Sequence, residues 1–419
     1  MRGQADRPVD QTGLRRLNLS RVLRSLRSDG PQSRALLARR TGLNKATTSS
    51  LVAELEQRRL AQLGAIVAGA VGRPSQLVEL RPRAVCGVGL EINVNYAAVA
   101  VLDLTDQVLF SKRVPLDVVE LGQVAVIDLL AELAADAIAV MREAGNWVAG
   151  ATVAVPGLVD VENGVVQHAP NLRWREASVA ERLASRLDLA PEAISVDNDA
   201  NLSALAEHAV GVAAGVSDLL YLTGEVGVGG GVIADGRLVR GATGFTGEVG
   251  HMPLNPAPAE CGCGRRGCWE TQVGLAALLR AVADPGDEVR DSTHDLELRL
   301  RVIAARAAKG DARTRTALAE IGSALGVGAS ILVNVLNPTA VVLGGYFALL
   351  GEWLAEPARR ELAERVMATG SCRLVLSDLG FTAAVRGGAH AALDRVFADP
   401  SIAPTEIVPT EVPHLGGIA

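Results

Sequence analysis

The sequence predicts an α/β protein with a two-lobed body behind a small basic head, and three observations carry that expectation. Charge divides the chain: residues 1–83 hold 16 Lys+Arg against 6 Asp+Glu, a net of +10, whereas the remainder holds 25 against 41, a net of −16. Two stretches of the acidic part, CGVGLEINVNYAAVAVLDLTDQVLFSKRVPL from Cys86 and DLLYLTGEVGVGGGVIADGRLVRG from Asp218, share a pattern of alternating strands followed by helical sequence. Finally, 419 residues exceed a single core of ordinary size, so two or three domains are expected.

Residues 1–12 lack periodicity and are read as a flexible arm, and residues 13–82 as the head. Leu19, Val22, Leu23 and Leu26 recur at helical spacing, and Asp29, Gly30 and Pro31 end that helix. Ser33 is placed to cap a second helix that stops at Thr41 and Gly42, and Asn44 to cap a third. In the third, Thr48, Leu51, Val52 and Leu55 share one face, which leaves Lys45, Thr47, Ser49 and Ser50 near its exposed N-terminal end. Small polar groups and one cation suit a helix entering a DNA major groove. The following LAQLGAIVAGAVGRPSQLVEL reads as the hairpin wing of a winged helix-turn-helix, with Arg73 at its tip to meet a phosphate or the minor groove. A protein-interaction module or a membrane-binding surface would use similar helices. The head's net charge of +10 favours a polyanion, and its helices leave no broad apolar face for lipid.

The body is assigned to residues 83–398. Turns are expected near Thr105 and Asp106 and at Asp235 and Gly236. The apolar run from Gly326 to Leu350 is interrupted by Asn334, Asn337 and Pro338, so it reads as a buried helix and a buried strand rather than a membrane span. MRGQADRPVD holds no apolar stretch of the signal-peptide kind, and cysteines are few, which points to a cytoplasmic protein. The charged run GDEVRDSTHDLELRLR, with His294, reads as solvated surface, and the proline-rich residues 399–419 as a disordered tail.

Three of the five cysteines, Cys261, Cys263 and Cys268, follow His251 within a short span. One imidazole and three thiolates complete a tetrahedral Zn²⁺ site with no position open for water, which makes the metal structural. Small buried hydrophobes or a local disulfide are the alternatives, and the glycine- and arginine-rich CGCGRRGC is poor core material. Cys86 and Cys372, within apolar runs, read as core residues.

The body resembles the ROK family of sugar kinases and sugar-responsive repressors. The matching segments are AVPGLVD at 154–160, NLRW at 171–174, VDNDANLSALAEHAVG at 196–211, GEVGH at 247–251, CGCGRRGCWE at 261–270 and VVLGG at 341–345. The resemblance covers roughly residues 84–398 and implies two lobes of the actin-like, ribonuclease H-like fold, with the last helix, near Gly387 to Phe397, returning to the first lobe. With the winged helix in front, the whole chain resembles the family's transcriptional repressors, and GLEINVNY resembles their xylose-responsive members. By the family pattern, Asp199 is the position of the base that takes a proton from a sugar hydroxyl, and Asn198, Glu248, His251 and Glu270 are further sugar contacts. Asp199 stands where a helix begins, so the helix dipole favours its charge. A plain N-cap is the alternative for it. His251 would serve both metal and ligand.

The family's kinases need a first turn of the form DxGGTK, and the corresponding residues are Glu91, Ile92, Asn93, Val94, Asn95 and Tyr96. Both glycines, the threonine and the lysine are replaced, and the second glycine-rich turn carries Glu225, a carboxylate that repels ATP. Asp199 is therefore expected to bind rather than catalyse. The expected protein is not an enzyme but a repressor on double-stranded operator DNA, a homodimer or homotetramer released by a small carbohydrate. An ATP-dependent sugar kinase carrying a DNA-binding domain is the alternative, and a body that serves only as a dimerisation platform is a third reading.

Overall fold

The computed structural model describes residues 11–67, 75–255, 259–292, 294–368 and 370–405. The head comprises α1 (Gln11–Asp29), β1 (Gln32–Ser33), α2 (Arg34–Thr41), α3 (Lys45–Gln57), β2 (Ala61–Val67) and β3 (Ser75–Leu80), with strand order β1-β3-β2. Its local chemistry follows the sequence. Ser33 Oγ accepts from Leu36 N at 3.2 Å, Asn44 Oδ1 accepts from Thr47 N at 2.8 Å, and Gly42 ends α2 at φ 69°, a left-handed conformation that costs glycine least. Because α1 begins at Gln11, Gln11 and Thr12 of the expected arm are helical. Arg73 lies outside the described residues.

The first lobe runs through β4 (Val85–Ile92), β5 (Tyr96–Asp103), β6 (Val108–Pro115), α4 (Val118–Glu143), β7 (Trp147–Val155), the small strands β8 (Leu158–Asp160), β9 (Val165–Ala169) and β10 (Trp174–Ser178), then α5 (Val179–Ala184), β11 (Ile194–Asn198) and α6 (Asp199–Ala209). Its main sheet has the order β11-β7-β4-β5-β6, in which β4, β5 and β6 are antiparallel neighbours and β7 and β11 are parallel. The second lobe repeats this plan. It contains β12 (Leu219–Gly224), β13 (Val228–Ala234), β14 (Arg237–Leu238), α7 (Glu270–Val273), α8 (Leu275–Val282), α9 (Leu296–Ala308), α10 (Ala312–Leu336), β15 (Ala340–Gly345), α11 (Tyr346–Leu349), α12 (Gly351–Arg365) and β16 (Arg373–Leu376). The order β14-β13-β12-β15-β16 has the same mixture of antiparallel and parallel pairs, so both lobes carry the actin-like topology. Every residue of β4, β12 and β15 is buried, as expected of central strands covered on both faces.

The apolar run from Gly326 to Leu350 is the end of α10, β15 and α11. Gly322 and Gly326 of α10 lie against the backbone at Leu354 and Ala358 of α12, a contact that leaves no room for a side chain. Cys86 is buried in β4, whereas Cys372 is only partly buried just ahead of β16. His294 is exposed.

The last helix, α13 (Ala383–Ala398), closes the molecule. Gly87 and Gly89 of β4 face Ala389 O and Val385 O so closely that an added Cβ would overlap them, and Gly387 is pressed equally hard on Leu202 O of α6. Val385, Ala389, Leu393, Val396 and Phe397 of α13 share one buried cluster with Leu19, Val22, Leu23, Leu26, Leu51 and Leu55 of the head. Ser20 Oγ donates to Phe397 O at 2.6 Å, and Arg27 reaches Asp394, Asp106 and His390 while stacking 4.2 Å over the Phe397 ring. The head and body thus have one continuous interior. The expected tail is shorter than 399–419: residues 400–402 form a 3₁₀ turn, and Arg58 of the head donates to the carbonyls of Ser401 and Ala403 at 2.9 and 2.6 Å. Residues 406–419 lie outside the described residues.

Candidate ligand cleft and metal cluster

A cavity of about 440 Å³ lies between the lobes, within the size range of small-molecule sites. Asp199 lines it at the first turn of α6. The cap is Asn198, whose Oδ1 accepts from Asn201 N at 3.1 Å and whose Nδ2 donates to Gly157 O at 3.1 Å. Asp199 is therefore relieved of capping. Its Oδ1 accepts from Ala200 N at 2.8 Å, and Oδ2 has no hydrogen-bond partner among the described residues. Burial pushes the Asp199 carboxyl up to about 6 against the pull of the Ala200 N–H, and the Glu248 and Asp197 charges add to the rise. Asp197 itself is held by the bidentate guanidinium of Arg240 at 3.0 and 2.6 Å, which ties the second lobe's loop to the base of β11.

Glu248, His251 and Glu270 line the same cavity from the second lobe. Glu270 Oε2 accepts from Val228 N at 3.1 Å, and Gly227 is glycine because a Cβ there would overlap that carboxylate. Glu248 Oε2 is 3.5 Å from His251 Nε2. His168, Asn171, Phe245 and Arg265 complete the wall. Of these, Asn171 and Arg265 lay in segments singled out from the sequence, whereas His168 of β9 and Phe245 are brought to the cavity only by the tertiary fold.

The four candidate metal ligands converge in the structure. One imidazole nitrogen of His251 and the sulfurs of Cys261, Cys263 and Cys268 all lie within 4.8 Å of one another, and the cysteines are not paired as disulfides. Cys263 Sγ to Cys268 Sγ and Cys261 Sγ to His251 Nδ1 both measure 3.8 Å. A tetrahedron with metal–sulfur bonds of about 2.3 Å has edges of roughly 3.8 Å, which these two pairs match, and the whole set, within 4.8 Å, suits one metal ion. Cys261 Sγ is also 3.3 Å from Glu270 Oε1, which couples the cluster to the cavity wall.

The inner end of the cleft lies between the β4–β5 and β12–β13 turns. Tyr96 is buried, with the Arg113 guanidinium 3.7 Å over its ring and its hydroxyl donating to Glu91 Oε1 at 2.5 Å. Asn93 Nδ2 donates to the Tyr96 hydroxyl at 3.2 Å and to Glu225 Oε2 across the cleft. Burial pushes Glu91 up to about 7 and Glu225 well above the usual carboxylate range, and the neighbouring acids raise both further. Val94 has no positive φ, because the turn closes through Asn93 N to Tyr96 O at 2.9 Å.

On the head, Lys45, Ser49 and Ser50 are exposed at the start of α3 and Thr47 is half-buried. Ser50 Oγ accepts from Arg15 at 3.4 Å, and Arg15 also bonds Glu54 at 2.7 Å, so α1 braces this surface.

The ROK family model matches residues 87–395. The xylose repressor of Caldicellulosiruptor bescii is 28% identical over 361 residues, 85% of this chain and 90% of that protein. A solved ROK family transcriptional regulator, described as a homologue of the E. coli MLC protein, shares the fold with a TM-score of 0.76 at 23% identity, over 92% of this chain and 97% of that one. A ROK family glucokinase from Streptomyces griseus, solved with glucose and AMPPNP, has a TM-score of 0.62 at 25% identity, over 74% of this chain and 99% of that one.

Proposed function

The chain belongs to the ROK family, and from that premise we propose that it is a sugar-responsive, DNA-binding transcriptional repressor of the cytoplasm, released from its operator by a small carbohydrate. One observation carries the reading: the hydroxyl-binding end of the cleft is open, with Asp199 Oδ2 free, while the nucleotide end is filled by Glu91, Tyr96, Asn93 and Glu225. A carboxylate at a helix N-terminus accepts from a sugar hydroxyl whether or not a phosphate donor is present. The likeness to the xylose repressor of C. bescii, which extends over 85% of this chain, supports the repressor over the kinase.

Each assigned residue then has a task. Asp199, Glu248 and Glu270 accept from sugar hydroxyls, and Asn198 fixes Asp199 by capping α6 in its place. His251, Cys261, Cys263 and Cys268 hold Zn²⁺, which supplies a structural cross-link with no open coordination position. Lys45, Thr47, Ser49 and Ser50 of α3 face DNA, and Arg73, outside the described residues, is the further DNA contact that the sequence offers. Ligand on Asp199 acts at the start of α6, α6 packs through Leu202 on Gly387 of α13, and α13 holds α1 through Phe397 and Asp394. In a homodimer or homotetramer, a change along that path alters the spacing of paired heads and their match to two half-sites.

The test is a mobility shift of the full chain on its own upstream DNA across a panel of free sugars. A shift reversed by one sugar is expected. A shift that no sugar reverses, with no sugar binding by calorimetry, would leave the body a dimerisation platform. The second reading, an active sugar kinase, rests on the retained Asp199 and the likeness to the S. griseus glucokinase. Coupled ATP turnover with the same panel decides it, since robust turnover contradicts a filled nucleotide end.

A further inference from the structure

A second hollow, of about 570 Å³, lies beside the ligand cleft. His168 and Pro170 line both, and Gly262 of the hollow directly precedes Cys263 of the cleft, so the two adjoin. Their chemistry is opposite. The cleft sets one arginine, Arg265, among Asp199, Glu225, Glu248 and Glu270, whereas the hollow has Arg173 and Arg175 and is lined by no acid. Glu176 follows Arg175 in the chain but is not part of the wall. Both guanidinium groups are exposed, and neither has a hydrogen-bond or ion-pair partner among the described residues. Other arginines of the same lobe are neutralised: Arg142 pairs with Asp188, and Arg182 and Arg186 pair with Asp128. Two neighbouring cations left unpaired, in a part of the chain with net charge −16, mark the hollow as a place for an anion from outside.

The rest of the wall agrees. Trp174, between the two arginines in sequence, is 2% exposed, and its Nε1–H has no acceptor among the described residues. A buried donor in that state costs free energy until something supplies an oxygen. Gly122 breaks the helical backbone of α4 at φ 77° and ψ 164°, so the long part of that helix begins at Gln123, which lines the hollow. The N-terminal end of a helix favours negative charge. Arg173 ends the 3₁₀ turn 170–172 at φ 58°, a backbone conformation that favours glycine, yet the position carries a cation. Burial and the charge of Arg175 hold the His168 imidazole below its ordinary value, so near pH 7 it is neutral and keeps an N–H to donate.

We propose that the hollow is an oxyanion subsite, in which Arg173 and Arg175 take a carboxylate or phosphate group carried by the same carbohydrate whose hydroxyls the cleft holds, so that the effector is an acidic sugar. The inference rests on the sugar-sensing reading and specifies its ligand class. Guanidinium groups suit this task because their paired N–H donors match the two oxygens of a carboxylate or phosphate. Gly262 belongs to the cysteine loop of the second lobe, whereas the two arginines belong to the first. An anion seated there lies against both lobes.

The test is titration calorimetry of the full-length protein with glucose, galactose and xylose, with glucuronate and galacturonate, with the 1- and 6-phosphates of glucose, and with inorganic phosphate. The tightest acidic sugar is expected to bind at least about tenfold more tightly than its neutral parent, the scale of one charge-assisted hydrogen bond. Because the arginines are exposed, that ratio should shrink as salt is raised. Whether the uronates or the esters show the gain tells carboxylate from phosphate. The double variant Arg173→Gln, Arg175→Gln removes two exposed charges without opening the core, and it is expected to abolish the gain while leaving affinity for the neutral sugar unchanged. A wild-type ratio below about tenfold overturns the ligand class. A ratio that the double variant does not lower, or a parallel loss for neutral and acidic sugar, overturns the assignment of the arginines. Inorganic phosphate that binds as tightly as the best acidic sugar makes the hollow a site for the free anion and overturns its link to the carbohydrate. Absence of binding by every sugar, neutral or acidic, overturns the sensor reading itself, and this inference with it.

Discussion

Replacing Asp199 by Asn is expected to make the protein more stable and unresponsive to sugar at the same time. Burial raises the Asp199 carboxyl from 3.8 to about 6, so the folded state holds its proton more tightly than the unfolded chain does. The sign follows from linkage: the cost of ionising Asp199 in the fold is absent below about pH 3.8, grows between there and pH 6, and is fully present above. At about 1.36 kcal/mol per pH unit, the ceiling is roughly 3 kcal/mol. Because the carboxyl is partly open to water in the cleft, a gain of ~1–2 kcal/mol near pH 8 is the working expectation for D199N. Asn retains an oxygen for the Ala200 N–H, so no buried donor is orphaned. The assay is urea unfolding with and without the sugar that reverses DNA binding. Ligand at about 100 times its Kd adds roughly 2.7 kcal/mol to the wild type, and D199N should show no such gain. The advantage of D199N should also shrink as pH falls toward 5. A variant less stable than the wild type near pH 8, or one still stabilised by sugar, would refute the reasoning.

Four further outcomes follow from the same geometry. Arg27→Ala removes the ties to Asp394 and Asp106 and the stack on Phe397, so it should cost about 1–3 kcal/mol, leave calorimetric sugar affinity unchanged and weaken sugar-driven release in a mobility shift. Gly89→Ala drives a methyl group into Val385 O, and the urea midpoint should fall by the equivalent of about 3 kcal/mol or more. Elemental analysis should find one zinc per chain, and Cys263→Ser or chelation should weaken sugar binding roughly 10–100-fold while operator binding in the absence of sugar persists. Lys45→Ala should reduce the slope of log affinity against log salt by about 1, with the loss uniform across sequences if the contact is to phosphate.

Local chemistry made much of this molecule legible. The caps at Ser33 and Asn44 and the inward face of Thr48, Leu51, Val52 and Leu55 follow from helical spacing and from the few side chains able to satisfy a free helix end. The repeated strand pattern gave the two lobes, and the His–Cys spacing gave the cluster of candidate metal ligands, because both are written within a few dozen residues. What escaped depends on contacts between distant positions. Asn93 and Glu225 are 132 positions apart, and nothing in either turn alone announces their bond. Tyr96 read as a lost lysine, yet its burial beneath Arg113 is what fills the inner end. Asp199 and Asn198 are adjacent residues that can each cap a helix, and the hydrogen bond to Asn201 N had to be seen to divide their roles. The proline-rich composition after Asp399 hid an ordered turn, because the carbonyls of Ser401 and Ala403 are satisfied by an arginine from the other end of the chain.

The shared interior of head and last helix sets an order of events during synthesis. Leu19, Leu23 and Leu26 emerge early, but Leu393, Val396 and Phe397, which cover them, are translated near the end. The nascent head is therefore left with an unsealed apolar face until the ribosome has nearly finished. Chains interrupted before Ala383 lack the cover for that face, so premature stop codons in the body should yield proteins without operator affinity rather than locked repressors that sit on DNA and ignore sugar.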